Sequence, residues 1–235
     1  MKRRLKINGF IMFTVVMSVI LFPALFLRRT NGYFTDELIE IFGVVLILLG
    51  QLFRVSARGY KSEYSQNGQS LLQGGPYALV RNPMYLGILL IGSGIVLVLF
   101  QWWATAALLL VFITRYILLI FKEEEKLFVT FPEDYPDYRQ RVSCLIPSIA
   151  KISQMDISEY LPLKLSWLKK EIGTISAVLF ITLFLESWED IKNEGIRVYL
   201  REFIGILIII ILFICLIGYL IRRTNALEKD VANKK

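Results

Sequence analysis

Two stretches of the chain concentrate side chains that can bind a charged small molecule. The first, residues 74–87, reads GGPYALVRNPMYLG, and the second, residues 123–142, reads EEEKLFVTFPEDYPDYRQRV. Each combines charged groups with tyrosines, and the first adds glycines that let the backbone approach a ligand closely. A ligand that carries an ammonium group, a carboxylate, a second cation and an aromatic ring would find a partner for each of them here.

The acidic residues of the two stretches suit the cationic groups of such a ligand, and the basic residues suit its carboxylate. Glu123 or Glu124 can hold an ammonium group or hydroxyls, whereas Arg81 or Arg139 can pair with a carboxylate through two hydrogen bonds. Tyrosines can face a cation or stack on an aromatic ring. The candidates for that role are Tyr77, Tyr85, Tyr135 and Tyr138.

The elements that must position these side chains are membrane helices. Hydrophobic residues make up 55% of the 235 residues and the mean hydropathy is +0.56, whereas a soluble domain is about 45–50% apolar. Apolar runs of about 17–25 residues can cross a bilayer as helices. We predict an all-α integral membrane protein with about six spans, at residues 10–27, 38–53, 84–100, 102–121, 172–188 and 203–221.

The basic residues predict the orientation of these spans. The net charge is +7, and most Lys and Arg residues fall in segments that six spans place on one side, namely 1–9, 54–83, 122–171 and 222–235. Because basic residues gather on the cytoplasmic side, we predict that both termini are cytoplasmic and that nucleic acid is not a partner. No cleavage site follows the first apolar run, so a retained anchor is expected. The basic N-terminus and the lack of organelle signals fit a prokaryotic plasma membrane, with the endoplasmic reticulum membrane as the alternative.

Histidine and cysteine usage argues against a metal centre. The chain has no histidine, and its two cysteines are Cys144, in a predicted cytoplasmic segment, and Cys215, inside the last predicted span. Two scattered cysteines cannot build a structural zinc site. We therefore predict no metal and no disulfide.

The start of the third predicted span would complete a binding site. The sequence Gly74-Gly75-Pro76 breaks any preceding helix, and the span begins at Pro83, which suits the first position of a helix. The free amides of a helix N-terminus favour anions. We expect a shallow pocket on the cytoplasmic face, roofed by the second stretch.

Together the two stretches resemble the pattern of the isoprenylcysteine carboxyl methyltransferase and phospholipid methyltransferase family. That pattern is GPYxxVRHPxYxG and, one helical hairpin later, EExxL, FGxxYxxYxxxV and a closing Ile-Pro, here Ile146-Pro147. The resemblance covers about residues 54–147. Asn82 stands in place of histidine, Pro132 in place of glycine, and Ser143-Cys144 where Pro-Arg is common. Asn82 can still donate and accept hydrogen bonds, which is compatible with cofactor binding but not with proton transfer.

The resemblance implies an enzyme that binds S-adenosylmethionine and methylates a lipophilic acceptor from the bilayer, such as a prenylcysteine-type carboxylate or a lipid. The absence of histidine favours an acceptor that is already deprotonated, because it needs no base. The implied catalytic residues are Arg81, Asn82, Glu124 and Arg139. The implied cofactor-binding residues are Gly75, Pro76, Tyr77, Arg81, Asn82, Pro83, Tyr85, Gly87, Glu123, Glu124, Tyr135, Tyr138 and Arg139.

Other interpretations of the same features stay open. A membrane sterol reductase that uses NADPH has a similar Arg-His-Pro-x-Tyr element, and a catalytically degenerate membrane scaffold would bind no cofactor. The acidic run 123–125 could be a solvated helix end, and the tyrosines of the second stretch could anchor the chain at the membrane surface. Arg115 is either functional or directed along its helix toward the cytosol, and Gly92 and Gly94 favour helix packing.

A change of composition after Pro147 predicts two modules. Residues 1–147 would form the methyltransferase core with about four spans, and residues 148–235 a linker, two further spans and a basic tail. Within the second module, residues 151–170 mix apolar residues with lysines. They could lie along the membrane surface or form a plain linker.

Overall fold

The computed structural model describes residues 23–28, 34–65, 70–147, 157–193 and 196–233. These residues form nine helices and no β-strand, which confirms the predicted all-α class. The helices are α1 (Pro23–Phe26), α2 (Phe34–Tyr64), α3 (Pro76–Leu79), α4 (Pro83–Leu99), α5 (Trp102–Thr130), α6 (Asp134–Arg141), α7 (Ile157–Tyr160), α8 (Leu165–Asn193) and α9 (Ile196–Asn233).

Three helices in the described part of the chain are long and apolar enough to cross a membrane. They are Glu37–Tyr64 in α2, Trp102–Thr130 in α5 and Phe203–Lys229 in α9, and they contain the predicted spans 38–53, 102–121 and 203–221. These helices confirm an integral membrane protein.

The three other predicted spans have different outcomes. The span at 84–100 corresponds to α4, whose 17 residues rise about 25 Å, slightly less than the hydrocarbon core. The span at 172–188 lies within α8, which is not among the three helices above. Most of the span at 10–27 lies outside the described residues. The count of six spans therefore stays a prediction.

Glycines bring α2 and α4 into backbone contact. A Cβ atom added to Gly50 would lie 2.6 Å from the carbonyl oxygen of Gly87, and one added to Gly94 would lie 2.4 Å from that of Gly43. Gly43 and Gly50 lie about two turns apart on α2, and their partners Gly94 and Gly87 lie about two turns apart on α4 in the reverse order. The two helices therefore pack antiparallel through these glycines. This close packing places the beginning of α4 beside the C-terminal half of α2.

Gly92, two residues before Gly94, faces α5 and not α2. An added Cβ atom there would lie 2.5 Å from the ring of Phe112 in α5. The prediction that Gly92 and Gly94 serve helix packing is confirmed, because both positions leave no room for a side chain between helices.

The segment of residues 157–170, which includes the beginning of α8, packs against the C-terminal half of α2. The Trp167 ring lies over Gly59, where an added Cβ atom would come within 2.2 Å of it. Ser56 donates a hydrogen bond to the Pro162 carbonyl at 2.8 Å, and Leu163 is buried in a cluster with Leu52, Leu79, Leu161 and Leu220. In its described part, residues 157–170, this segment is thus packed against α2 and α9.

An ion-pair cluster centred on Lys164 joins α2, the start of α8 and α9. Its ammonium lies 2.6 Å from an oxygen of Glu63 and 2.6 Å from an oxygen of Glu228, and the Trp167 indole donates to Glu63 at 3.1 Å. Burial acts to lower the pKa of Lys164, but hydrogen bonds to Glu228 and Glu63 outweigh burial and raise it above its ordinary range. The C-terminal helices are thereby held to the end of α2.

Candidate functional site

A glycine turn directs the chain into α4. Gly75 has a φ of 55°, a conformation that favours glycine, and an added Cβ atom would lie 2.7 Å from the Tyr60 ring of α2. Pro76 then begins the short helix α3, and Pro83 begins α4. Proline fits the first helical position, so α3 begins at Pro76 and α4 at Pro83. Arg81 and Asn82 therefore lie in the short connection between α3 and α4.

Backbone hydrogen bonds join this connection to the segment after α6. The Arg81 amide donates to the Ser143 carbonyl at 2.9 Å, and the Asn82 amide donates to the Cys144 carbonyl at 3.2 Å. The two sequence stretches that carry the predicted chemistry therefore meet in space.

The carboxylate of Glu124 is the centre of the contacts between the two stretches. It is only 6% exposed. One of its oxygens accepts hydrogen bonds from Arg81 Nε at 3.0 Å and from Asn82 Nδ2 at 3.2 Å, and the other lies 4.0 Å from Arg139 Nε. The four residues predicted as catalytic thus form one cluster.

The Arg81 guanidinium also binds the backbone of the second stretch, residues 123–142, to the connection before α4. Its Nη2 lies 2.9 Å from the same Glu124 oxygen, while its Nη1 donates to the carbonyls of Arg139 at 2.8 Å and Val142 at 2.7 Å. Four contacts engage all three nitrogens, in a side chain that is 10% exposed. This geometry gives Arg81 a clear role in holding α6 against α4 and α5.

Cys144 lies at the edge of this cluster. Its Sγ is 3.6 Å from the Glu124 carboxylate and 3.6 Å from Asn82 Nδ2. Burial raises the pKa of the Cys144 thiol, and the neighbouring carboxylate raises it further. The thiol is therefore mostly protonated at neutral pH.

A cavity of about 230 Å³ opens beside the cluster, where the end of α2, the start of α4 and the end of α5 come together. Seven predicted cofactor-binding residues line it, namely Tyr77, Arg81, Asn82, Pro83, Tyr85, Glu123 and Tyr138. The other lining residues are Lys61, Ser65, Ser70, Leu71, Leu72, Met84, Ile88, Leu127 and Phe131.

Glu123 and Glu124 are neighbours in sequence but face different surroundings. Glu123 lines the cavity and accepts a hydrogen bond from the Tyr85 hydroxyl, whereas Glu124 faces Arg81 and Asn82. Successive residues of a helix point about 100° apart. Among the described residues that line the cavity, Glu123 is the one carboxylate.

The tyrosines of the second stretch bind the roof of the cavity to its wall. The Tyr138 hydroxyl donates to the Tyr77 carbonyl at 2.7 Å. Tyr135 is 1% exposed, packs on Phe128 of α5, and has no hydrogen-bond partner for its hydroxyl in the described part of the chain. Burial raises the pKa of Tyr77 and Tyr138 well above the usual range and, with the Glu124 carboxylate, raises that of Tyr135 to about 12. All three phenols are neutral at physiological pH.

Six residues predicted to bind the cofactor do not line the cavity. They are Gly75, Pro76, Gly87, Glu124, Tyr135 and Arg139. Gly75 forms the turn over Tyr60 and Gly87 contacts Gly50 of α2, so both support the wall from behind. Arg115 is exposed on α5, on the same surface as Thr114 and Lys122 and away from this cavity.

The contribution of α2 and of the loop after it was not predicted from the sequence. Lys61, Ser65, Ser70, Leu71 and Leu72 line the cavity but precede the first motif. The polar or basic character of Lys61, Ser65 and Ser70 within the segment 54–83 was the available signal. No periodicity of that segment indicated which of its side chains turn toward the site.

The fold and the site define an all-helical integral membrane protein with a partly polar cavity at one end of its apolar helices. Residues 38–133 match the family model described as phospholipid methyltransferase, a family of integral membrane methyltransferases. The matched part runs from α2 to the end of α5, less than half of the chain, and includes Arg81, Asn82 and both glutamates. The match confirms the family resemblance over the first motif and the beginning of the second, and it supports membrane methyltransferase activity.

The two other comparisons gave no relatives. No curated protein and no solved structure matches the chain.

Proposed function

We propose that the protein transfers a methyl group from S-adenosylmethionine to a lipophilic acceptor in the membrane. The observation that carries this proposal is the cavity, in which residues of both motifs meet next to Glu123. The matched family supplies the reaction class. The cofactor, the acceptor and the roles of individual residues are our inference.

The side chains around the cavity fit the chemical groups of S-adenosylmethionine. The Glu123 carboxylate can accept hydrogen bonds from the ammonium group. The rings of Tyr77, Phe131 and Tyr138 can stack on adenine or face the sulfonium, and the hydroxyls of Ser65 and Ser70 can bond to the ribose. All six residues line the cavity.

The protein would contribute mainly position and exclusion of water. S-Adenosylmethionine supplies a methyl group on a positively charged sulfur, so the acceptor must be aligned with that carbon. The Arg81–Glu124 cluster holds the roof in place, and apolar side chains line the cavity on both sides, including Leu71, Ile88 and Leu127. A site that is rigid and excludes water favours attack of the acceptor on the methyl carbon, with the sulfur as the leaving group.

The acceptor is proposed from the position of the cavity. Met84 and Ile88 of α4 and Leu127 of α5 line it, and α5 continues into the membrane as an apolar helix. A lipid or a prenylcysteine-type carboxylate could reach the methyl group along this apolar surface. We further propose that the cavity and both termini are cytoplasmic, in a prokaryotic plasma membrane, and that residues 1–147 form the catalytic core.

Calorimetric titration of the detergent-purified protein with S-adenosylmethionine tests the cofactor. Glu123→Gln removes the charge at the cavity, and we expect the Kd to rise about 10–100-fold, as for loss of a hydrogen bond to a charged group. Glu125→Gln is the matched control, because Glu125 is exposed on the same helix. Saturable binding that Glu123→Gln weakens and Glu125→Gln does not would support the proposal.

Failure of the wild-type protein to bind S-adenosylmethionine would reject it. Titration with NADPH then separates the remaining alternatives, because a reductase would bind NADPH and a degenerate scaffold would bind neither cofactor. If binding is found, transfer of a radiolabelled methyl group into extracted membrane lipids identifies the acceptor class.

A further inference from the structure

The cation that would bind the carboxylate of the cofactor is not settled by the motifs. The sequence offers Arg81 and Arg139 for this role. In the structure, Arg81 directs four N–H contacts to Glu124 and to the carbonyls of Arg139 and Val142, and an arginine has five N–H donors in all. A bidentate contact from Arg81 to a ligand would break part of the cluster that holds the roof.

Arg139 is also poorly placed for a ligand in the cavity. Its side chain is 56% exposed, its Nε lies 4.0 Å from Glu124, and the residue does not line the cavity. Its contribution to the cluster is the backbone carbonyl that accepts from Arg81 at 2.8 Å.

Lys61 is the remaining cation at the cavity. It lies in the last turn of α2 and lines the cavity together with Ser65 and Ser70. Its ammonium forms no hydrogen bond or ion pair with any residue in the part of the chain that the structure describes. A basic residue in the last turn of a helix also complements the helix dipole, but that role does not require a place in the cavity wall.

We propose that Lys61 binds the carboxylate of the cofactor, while Glu123 binds the ammonium group. This inference rests on the proposed function. The two residues come from different walls, α2 and α5, and carry opposite charges. They therefore suit a ligand that has both an anionic and a cationic group, such as an amino acid moiety. An ammonium group on a long, flexible side chain can reach such a carboxylate without disturbing Arg81.

A comparison of S-adenosylmethionine with its decarboxylated analogue tests the assignment directly. We expect the wild-type protein to bind S-adenosylmethionine about 10–100-fold more tightly than the analogue. Lys61→Gln should remove this preference by weakening only the binding of S-adenosylmethionine, and Lys61→Arg should restore most of it. Lys126→Gln is the matched control, because Lys126 is exposed on α5 and does not line the cavity.

The outcomes separate the assignment from the proposed function. Wild-type protein that binds neither compound would reject the proposed function and this assignment together. Normal binding of S-adenosylmethionine by Lys61→Gln would reject the assignment alone. Equal weakening of both compounds by Lys61→Gln, with a lowered thermal midpoint, would also reject it, because Lys61 would then act on the fold.

Discussion

Arg81 and Glu124 form a buried ion pair in which two nitrogens of the guanidinium contact a single carboxylate oxygen, Nε at 3.0 Å and Nη2 at 2.9 Å. Arg81 precedes α4 and Glu124 lies near the end of α5, so the pair joins the two motifs. The same guanidinium donates to two carbonyls around α6. This arrangement makes Glu124 a residue on which the shape of the site depends.

Glu124→Ala should destabilise the protein strongly. Removal of one partner leaves the Arg81 charge buried and unpaired, which costs about 3–5 kcal/mol in the free energy of unfolding. Denaturant unfolding in detergent, followed by tryptophan fluorescence, measures this loss. Glu125→Ala changes an exposed glutamate on the same helix and serves as the control. Equal stability of the two variants would contradict a structural role for the ion pair.

Gly50→Ala and Gly94→Ala should each lower stability. The added methyl groups would lie 2.6 Å and 2.4 Å from backbone oxygens of the facing helix, so α2 and α4 must move apart. Overpacking of this kind costs about 1–3 kcal/mol, and the clashing atoms here are backbone oxygens, which favours the upper part of that range. The cost then exceeds the gain of about 1 kcal/mol from replacing glycine by alanine in a helix. Thermal midpoints in detergent measure the balance.

The control for these variants is Gly173→Ala in α8, where nothing lies within 4 Å of an added Cβ atom. That substitution should be neutral or stabilising. A matching drop in its thermal midpoint would show that alanine is unfavourable at helical glycines in this protein for a reason other than the α2–α4 contact.

Alkylation of Cys144 should depend steeply on pH. Because burial and the Glu124 carboxylate raise the pKa of the thiol, the thiolate fraction at pH 7 is small and grows about tenfold per pH unit. The variant Cys215→Ser leaves Cys144 as the sole cysteine. We expect its reaction with iodoacetamide to accelerate from pH 7 to pH 9 without a plateau, and a plateau below pH 9 would contradict the raised pKa.

Lys164→Gln should loosen the attachment of the C-terminal helices. The variant loses hydrogen bonds to Glu63 and Glu228, each worth about 1.5–3 kcal/mol at most for charged partners. The pKa of Lys164 is raised in the folded protein, so its contribution is complete below the unfolded value of about 10.4 and is lost as the pH rises through the folded value.

Unfolding of Lys164→Gln and wild-type protein at pH 8 and at pH 11 measures this contribution. The difference in unfolding free energy should be large at pH 8 and smaller at pH 11. Lys169→Gln changes an exposed lysine in α8, five residues after Lys164, and should show no difference at either pH. If the difference in unfolding free energy between Lys164→Gln and wild type is the same at both pH values, the two glutamates do not raise the pKa of Lys164.

The sequence by itself determined the class of the protein and the location of its site along the chain. Apolar runs are local features of the sequence, so the membrane helices in α2, α5 and α9 could be predicted from them. The two motifs are also local, and their residue types were enough to indicate a site that joins residues 74–87 with residues 123–142. The Gly75-Pro76 turn and the start of α4 at Pro83 follow from the backbone preferences of those residues.

Only the tertiary structure decided which side chains face the cavity. Glu123 and Glu124 are chemically identical, and the rotation of α5 sets one toward the cavity and the other toward Arg81. Lys61 reaches the site from α2 because Gly50 and Gly87 allow the two helices to touch. The orientation of a helix and its distance from a partner depend on contacts between residues far apart in the chain, and no local pattern contains them.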